Sequence, residues 1–223
     1  MERPRSSLPH NGIGHITGLC STPGGQDGPT RRNLHVRRGM VRGRGRRVLH
    51  GSTHSGDFAL LLIRLLLALV FIAHGWNHIF GGGRIAGTAR WFESLGMRPG
   101  IMHAWAASLT ELGGGALMAL GLLTPLAGAA MAGVMTVAFV TNHMRNGFFI
   151  FRPGEGYEYV LTLAVVAIAV GGLGGGRWSL DWAADIFTGG WPQMILAAAL
   201  GIGGGLAQLV VFWRPKAKAT PSE

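Results

Sequence analysis

The sequence predicts an all-α integral membrane helical bundle from three observations. Long apolar runs recur at about Phe58 to Phe80, Ala104 to Leu123, Leu126 to Asn142, Tyr157 to Gly172 and Trp191 to Trp213. Each approaches the roughly 20 residues that a helix rising about 1.5 Å per residue needs to cross a hydrocarbon core of about 30 Å. Charge is segregated: 48% of residues are hydrophobic and 13% charged, and the charge falls almost wholly outside the runs. The runs are continuous in Leu, Ala, Val and Gly, without the alternation that a membrane barrel requires.

The expected organisation is a four-helix membrane core over residues 58–185, an additional transmembrane helix within 186–214 and a polar tail at 215–223. Only residues 1–57 leave room for anything else. They carry Arg3, Arg5, Arg31, Arg32, Arg37, Arg38, Arg42, Arg44, Arg46 and Arg47 against Glu2, Asp27 and Asp57, with many Gly, Ser and Pro. That is the composition of a disordered basic arm. Each basic residue of such an arm adds about 1 kcal/mol near an anionic lipid surface. No Phe, Tyr or Trp precedes Phe58, so the arm has no base-stacking platform and nucleic acid is not an expected partner. Met40 offers an alternative translation start that leaves a short basic lead into the first helix. The single cysteine, Cys20, excludes an internal disulfide, a dithiol motif, a cysteine-held iron–sulfur cluster and covalent haem. Any redox role therefore uses a diffusible or externally held group, and no tightly bound cofactor is expected.

The first run is interrupted by Arg64, unlike a cleavable signal peptide, and is expected to stay as an anchor. The link that follows contains TARWFESLGMRPG, in which Thr88 to Gly96 suits a short interfacial helix with Trp91 and Phe92 among the headgroups. Thr124-Pro125 makes the second and third runs an antiparallel hairpin, with proline opening the new helix. Pro153 and its flanking glycines mark the next link, and Ser179-Leu180-Asp181 reads as a helix cap. The last run is bracketed by Trp191 and Trp213, with Arg214 and Lys216 just beyond. Gly201 and Gly205, four apart on it, permit the close helix contact on which a homo-oligomer could form. Orientation depends on the arm: an inside N-terminus puts the arm and Arg177 in the cytoplasm, but places most other basic residues outside.

Ionisable groups at membrane depth cost several kcal/mol unless paired or wet, so Arg64, His74, His78, Glu111, His143 and Glu158 are the candidate ligand-binding residues. On a helix turning about 100° per residue, Arg64, His74 and His78 share an arc of roughly 80°. With alternating helix directions and about 1.5 Å per residue, all but Arg64 gather toward one membrane face. Arg64 lies about 10 Å from the other face, with a side chain long enough to reach toward Glu111. Three chemistries fit these residues: a structural polar network, a small-molecule or quinone head-group site in which His or Glu handles protons, or a metal site from the i, i+4 pair His74 and His78 with Glu111 or His143. No nucleophilic triad is visible, and Gly113-Gly114-Gly115 suits helix packing rather than phosphate binding.

Arg64 followed by FIAHGWNHIF, then ELGGGALMALGLLTPLAG, NGFF, Glu158 and the closing Ser179-Leu180-Asp181 resemble the DoxX family of small bacterial membrane proteins, over about Phe58 to Asp185. The resemblance implies a four-helix membrane bundle in the bacterial inner membrane. It also implies a redox setting, since the family takes its name from a subunit of a thiosulfate:quinone oxidoreductase and other members accompany oxidative-stress complexes. Carried over by position, it marks Arg64, His74, Glu111 and Glu158 as family-like polar residues and Gly75, Gly113 and Gly114 as packing positions. At His78 the chain departs from the lysine common in the family, replacing a fixed cation with a group that titrates near neutrality. The expected function is the membrane-embedded component of a redox or oxidative-stress protection complex. Its expected ligand is a quinone and its expected partners are soluble or peripheral redox proteins. The alternative is a non-catalytic scaffold or a small-solute transporter.

Overall fold

A computed structural model describes residues 54–215. Residues 1–53 and 216–223, and with them Cys20, Met40 and nearly all of the basic arm and polar tail, lie outside the described residues. Among the described residues the chain is helical and without strands: α1 (His54–Phe80), α2 (Arg84–Ser94), α3 (Gly100–Leu120), α4 (Thr124–Ala138), α5 (Glu158–Leu173), α6 (Leu180–Ala184) and α7 (Trp191–Phe212). A π-helical turn (Phe139–His143) and a short 3₁₀ turn (Met144–Asn146) extend α4. Among the described residues three helices are long and apolar enough to cross a membrane: α1, α4 with its extension to Asn146, and α7. The two further runs read from the sequence correspond to α3, whose 21 residues include His103, Ser108 and Glu111, and α5, a shorter apolar helix of 16 residues.

The element boundaries follow local chemistry. α3 stops where Gly121 adopts a left-handed conformation (φ 61°), returning its N–H to Met118 O. Proline in the first turn of α4 loses nothing, because that N–H has no intrahelical acceptor. Ser179 caps α6 by accepting from the Trp182 N–H at 3.1 Å. The interfacial helix expected at Thr88 to Gly96 begins one turn earlier, at Arg84.

The core between α1, α3, α4 and α5 is built on Leu67, Phe71, Met118, Met131, Met135 and Val170. Against this, α7 is packed into the bundle on α4 and α5. A Cβ at Gly201 would lie 2.7 Å from Ala129 O, and one at Gly205 2.9 Å from Gly133 O. The close approach that this spacing permits is therefore made to α4 of the same chain. At the far end of α7, Trp213 Nε1 donates to Leu95 O at 2.9 Å and Arg214 N to Gly96 O at 2.8 Å, pinning the helix to the loop between α2 and α3. The triple glycine of α3 is used differently from the expectation. A Cβ at Gly113 would meet nothing within 4 Å, whereas one at Gly115 would lie 2.6 Å from Ile72 on α1. Gly113 is thus not a packing position, and Gly115 is.

These contacts make Gly201→Leu a strong test of how α7 is held. A side chain there meets backbone rather than a movable side-chain end, and overpacking of this kind costs about 1–3 kcal/mol or more. A lowered unfolding temperature in detergent is expected, with Gly203→Leu as the neutral control because a Cβ at Gly203 meets nothing within 4 Å.

Candidate functional site

The alternating helix directions produce two polar ends separated by the apolar core. At the end that holds the start of α1, Arg64 is 1% exposed and makes four hydrogen bonds to backbone carbonyls. Its Nε donates to Met118 O (3.0 Å), Nη2 to Ala119 O (2.8 Å), and Nη1 to Gly175 O (2.6 Å) and Trp178 O (3.0 Å). Two of these carbonyls belong to the last turn of α3, where a helix leaves its acceptors unpaired and where a cation is favoured. Asp181, fully buried beside this group, accepts from Leu123 N (2.7 Å), Thr124 N (2.8 Å) and Thr124 Oγ1 (2.5 Å), capping the start of α4. Arg64 and Asp181 together clasp the α3–α4 turn to the segment before α6. Arg64 does not reach Glu111, because side chains on a helix lean toward its N-terminus and this one points away from the opposite end.

At the other end the helices diverge around a cavity of about 380 Å³. Its polar lining includes His74 and His78 from α1, His103 and Glu111 from α3, and His143 from the π turn. The volume lies in the range of roughly 300–1,000 Å³ usual for small-molecule sites, and the wall is mostly apolar. Glu111 is buried, and its Oε2 lies 3.3 Å from His78 Nδ1 without the alignment of a hydrogen bond, so that both atoms lack a conventional partner. His74 Nδ1 is 2.9 Å from Val70 O, which places the proton on Nδ1 and leaves Nε2 as an acceptor. His143 is committed at both nitrogens: Nδ1 donates to Glu155 O (2.9 Å) and Nε2 accepts from Asn142 Nδ2 (3.1 Å).

Of the six candidates, the cavity brings together His74, His78, Glu111 and His143. Glu158 is nearby in another role, accepting from Ile150 N at 2.8 Å and so holding the loop that joins the α4 extension to α5. Ser108, Thr136 and Thr141 each donate to the carbonyl four residues back in their own helix, which satisfies them locally. The cavity lining also holds polar residues outside the six, among them His103 and Gln208. His103, 1% exposed, meets Gln208 of α7, whose Nε2 lies 2.9 Å from His103 Nδ1. The spacing His103, Ala107, Glu111 repeats by four, placing His103 and Glu111 on one face of α3, and this is the signal that would have found His103. Among the described residues no three or more His, Cys, Asp or Glu side chains converge where they could hold a metal ion.

An all-α membrane bundle with one polar, cavity-bearing end and one closed, clasped end defines a small polytopic membrane protein. The DoxX family profile matches residues 59–144, spanning α1 to the π turn. The candidate oxidoreductase CatD of Bacillus subtilis is 29% identical over 118 residues, covering 53% of this chain and 82% of CatD. The inner membrane protein YqjF of Escherichia coli is 30% identical over 131 residues, covering 56% of this chain and 91% of YqjF. No solved structure matches the chain. The chain belongs to the DoxX family.

Proposed function

We propose that the protein is the inner-membrane component of a redox or oxidative-stress protection assembly, and that its cavity receives the head group of a quinone. The observation that carries this reading is a mostly apolar cavity whose wall holds Glu111 and His78 3.3 Å apart, both with unsatisfied polar atoms. The names of an oxidoreductase and of an inner membrane protein among its relatives agree with that setting. A quinone, when bound, supplies two-electron, two-proton chemistry at paired carbonyl oxygens. The chain's own residues bind and manage protons. Glu111 and His78 offer a place for one proton between a carboxylate and an imidazole, and the apolar wall around them keeps bulk water from competing. His74 Nε2 is a further acceptor on the same lining. Electrons would come from a soluble or peripheral redox partner at the same membrane face.

A carrier needs a polar path from face to face, and here the core residues Leu67, Met118 and Met131 lie between the cavity and the Arg64–Asp181 clasp. A scaffold remains the alternative that the test separates. Wild type and Glu111→Gln are purified in detergent, their quinone content is extracted, and both are titrated with a menaquinone analogue. Wild type is expected to bind and the variant to bind roughly tenfold more weakly, the scale of losing one buried hydrogen bond to a charged group, with unchanged thermal stability. Absence of binding in both folded proteins would leave the scaffold reading, pursued through partner capture.

A further inference from the structure

We infer that Gln208 fixes His103 in the tautomer that carries its proton on Nε2, and that His103 uses this N–H as a hydrogen-bond donor to a carbonyl oxygen of the cavity's ligand. The inference rests on the reading of the cavity as a quinone-head site and assigns a residue pair outside the six candidates. An amide NH₂ can only donate. With Gln208 Nε2 at 2.9 Å, His103 Nδ1 must accept, and a neutral imidazole then bears its hydrogen on Nε2. That Nε2 is buried and has no hydrogen-bond partner among the described residues. The Arg98 carbonyl also neighbours the ring. Buried polar atoms in folded proteins are nearly always paired, so a donor without a well-formed partner beside a cavity is suited to an acceptor on the ligand.

The ring is also held in place. Phe212 meets it edge-on with centroids 5.1 Å apart, and Phe92 lies 6.2 Å away on another side. Gln208 is fixed in turn by the pinned end of α7, where Trp213 Nε1 donates to Leu95 O. The ligand class follows from the charges. Glu111 lies on the lining, and no Lys or Arg is among the lining residues. An anion would find no Lys or Arg on the lining to balance it, whereas a neutral carbonyl would satisfy the donor at no charge cost. The site is thus a donor for neutral acceptors, and α7 is the element that sets its polarity.

The test uses full-length protein labelled with nitrogen-15 at histidine, in lipid nanodiscs, as wild type, His103→Phe and Gln208→Leu, with menadione as the probe. Wild-type His103, assigned by its absence from the phenylalanine variant, is expected to be protonated at Nε2, and menadione is expected to shift that resonance. His103→Phe should bind menadione roughly tenfold more weakly, the scale of one buried hydrogen bond. Gln208→Leu should show mixed tautomers and an intermediate loss, and it keeps the test open if the phenylalanine variant does not fold. A wild-type His103 protonated on Nδ1 overturns the inference. So does menadione that binds the wild type yet leaves the His103 resonance unmoved and binds Gln208→Leu equally well. These outcomes are distinct from failure of the quinone reading, in which menadione does not bind the wild type although His103 shows the expected tautomer, and the donor role falls with it.

Discussion

Arg64→Met is expected to cost roughly 3–5 kcal/mol, the scale of removing one partner from a buried charged network, and to lower the unfolding temperature in detergent by on the order of 10 °C. Methionine matches much of the length of arginine but donates nothing. The carbonyls of Met118, Ala119, Gly175 and Trp178 would all lose their guanidinium donor, those of Met118 and Gly175 in buried positions, since Arg64 is 1% exposed. Lysine should not rescue. Its compact ammonium carries the charge but cannot present the rigid planar fork that spans acceptors on two segments. Space is also committed: a Cβ at Gly121 would collide with the Arg64 guanidinium, so the left-handed glycine and the arginine fit as a pair. Thermal unfolding of Arg64→Met and Arg64→Lys beside the wild type checks this, with both variants expected well below it.

Asp181→Ala is the second large effect, expected near 3 kcal/mol from a lost helix cap plus buried donors left unpaired. The carboxylate receives Leu123 N, Thr124 N and the Thr124 hydroxyl. Leu123 sits in the left-handed region at φ 50°, a conformation that a branched residue keeps only when its surroundings enforce it. Removing Asp181 releases that enforcement. Asp181→Asn should fall between, because one amide oxygen still accepts but the negative charge at the start of α4 is gone. Since Arg64 and Asp181 clasp the same turn, the double variant is expected to lose less than the sum of the two single losses in a double-mutant cycle. Stabilities that simply add would show that the two ends of the clasp act independently.

The gathering of His74, His78, Glu111 and His143 at one end was legible from the sequence because it needs only the helix rise and the alternation of direction. The partners of Arg64 are a tertiary fact that the sequence does not carry. Its depth followed from counting residues, but its reach toward Glu111 ignored the lean of helical side chains toward the N-terminus. Ser179 could be read as a cap from local spacing, whereas the partners of Asp181 lie near residue 123 and are a tertiary fact. His103 was hidden by its position at the edge of an apolar run, although its four-residue steps to Glu111 were in plain view. Gln208 was hidden more deeply. Gly201 and Gly205 marked a close helix contact, but nothing in α7 itself says whether the neighbour is another chain or α4.

The cavity end carries the proposed ligand chemistry, and the Arg64 end holds the fold together. The most direct test is a crystal structure of the wild type grown in lipid mesophase with menadione. Ligand density is expected inside the cavity, with one carbonyl oxygen within hydrogen-bond reach of His103 Nε2 and the ring beside Glu111 and His78. Density confined to the lipid-facing surface, or an empty cavity at saturating menadione, would contradict this expectation.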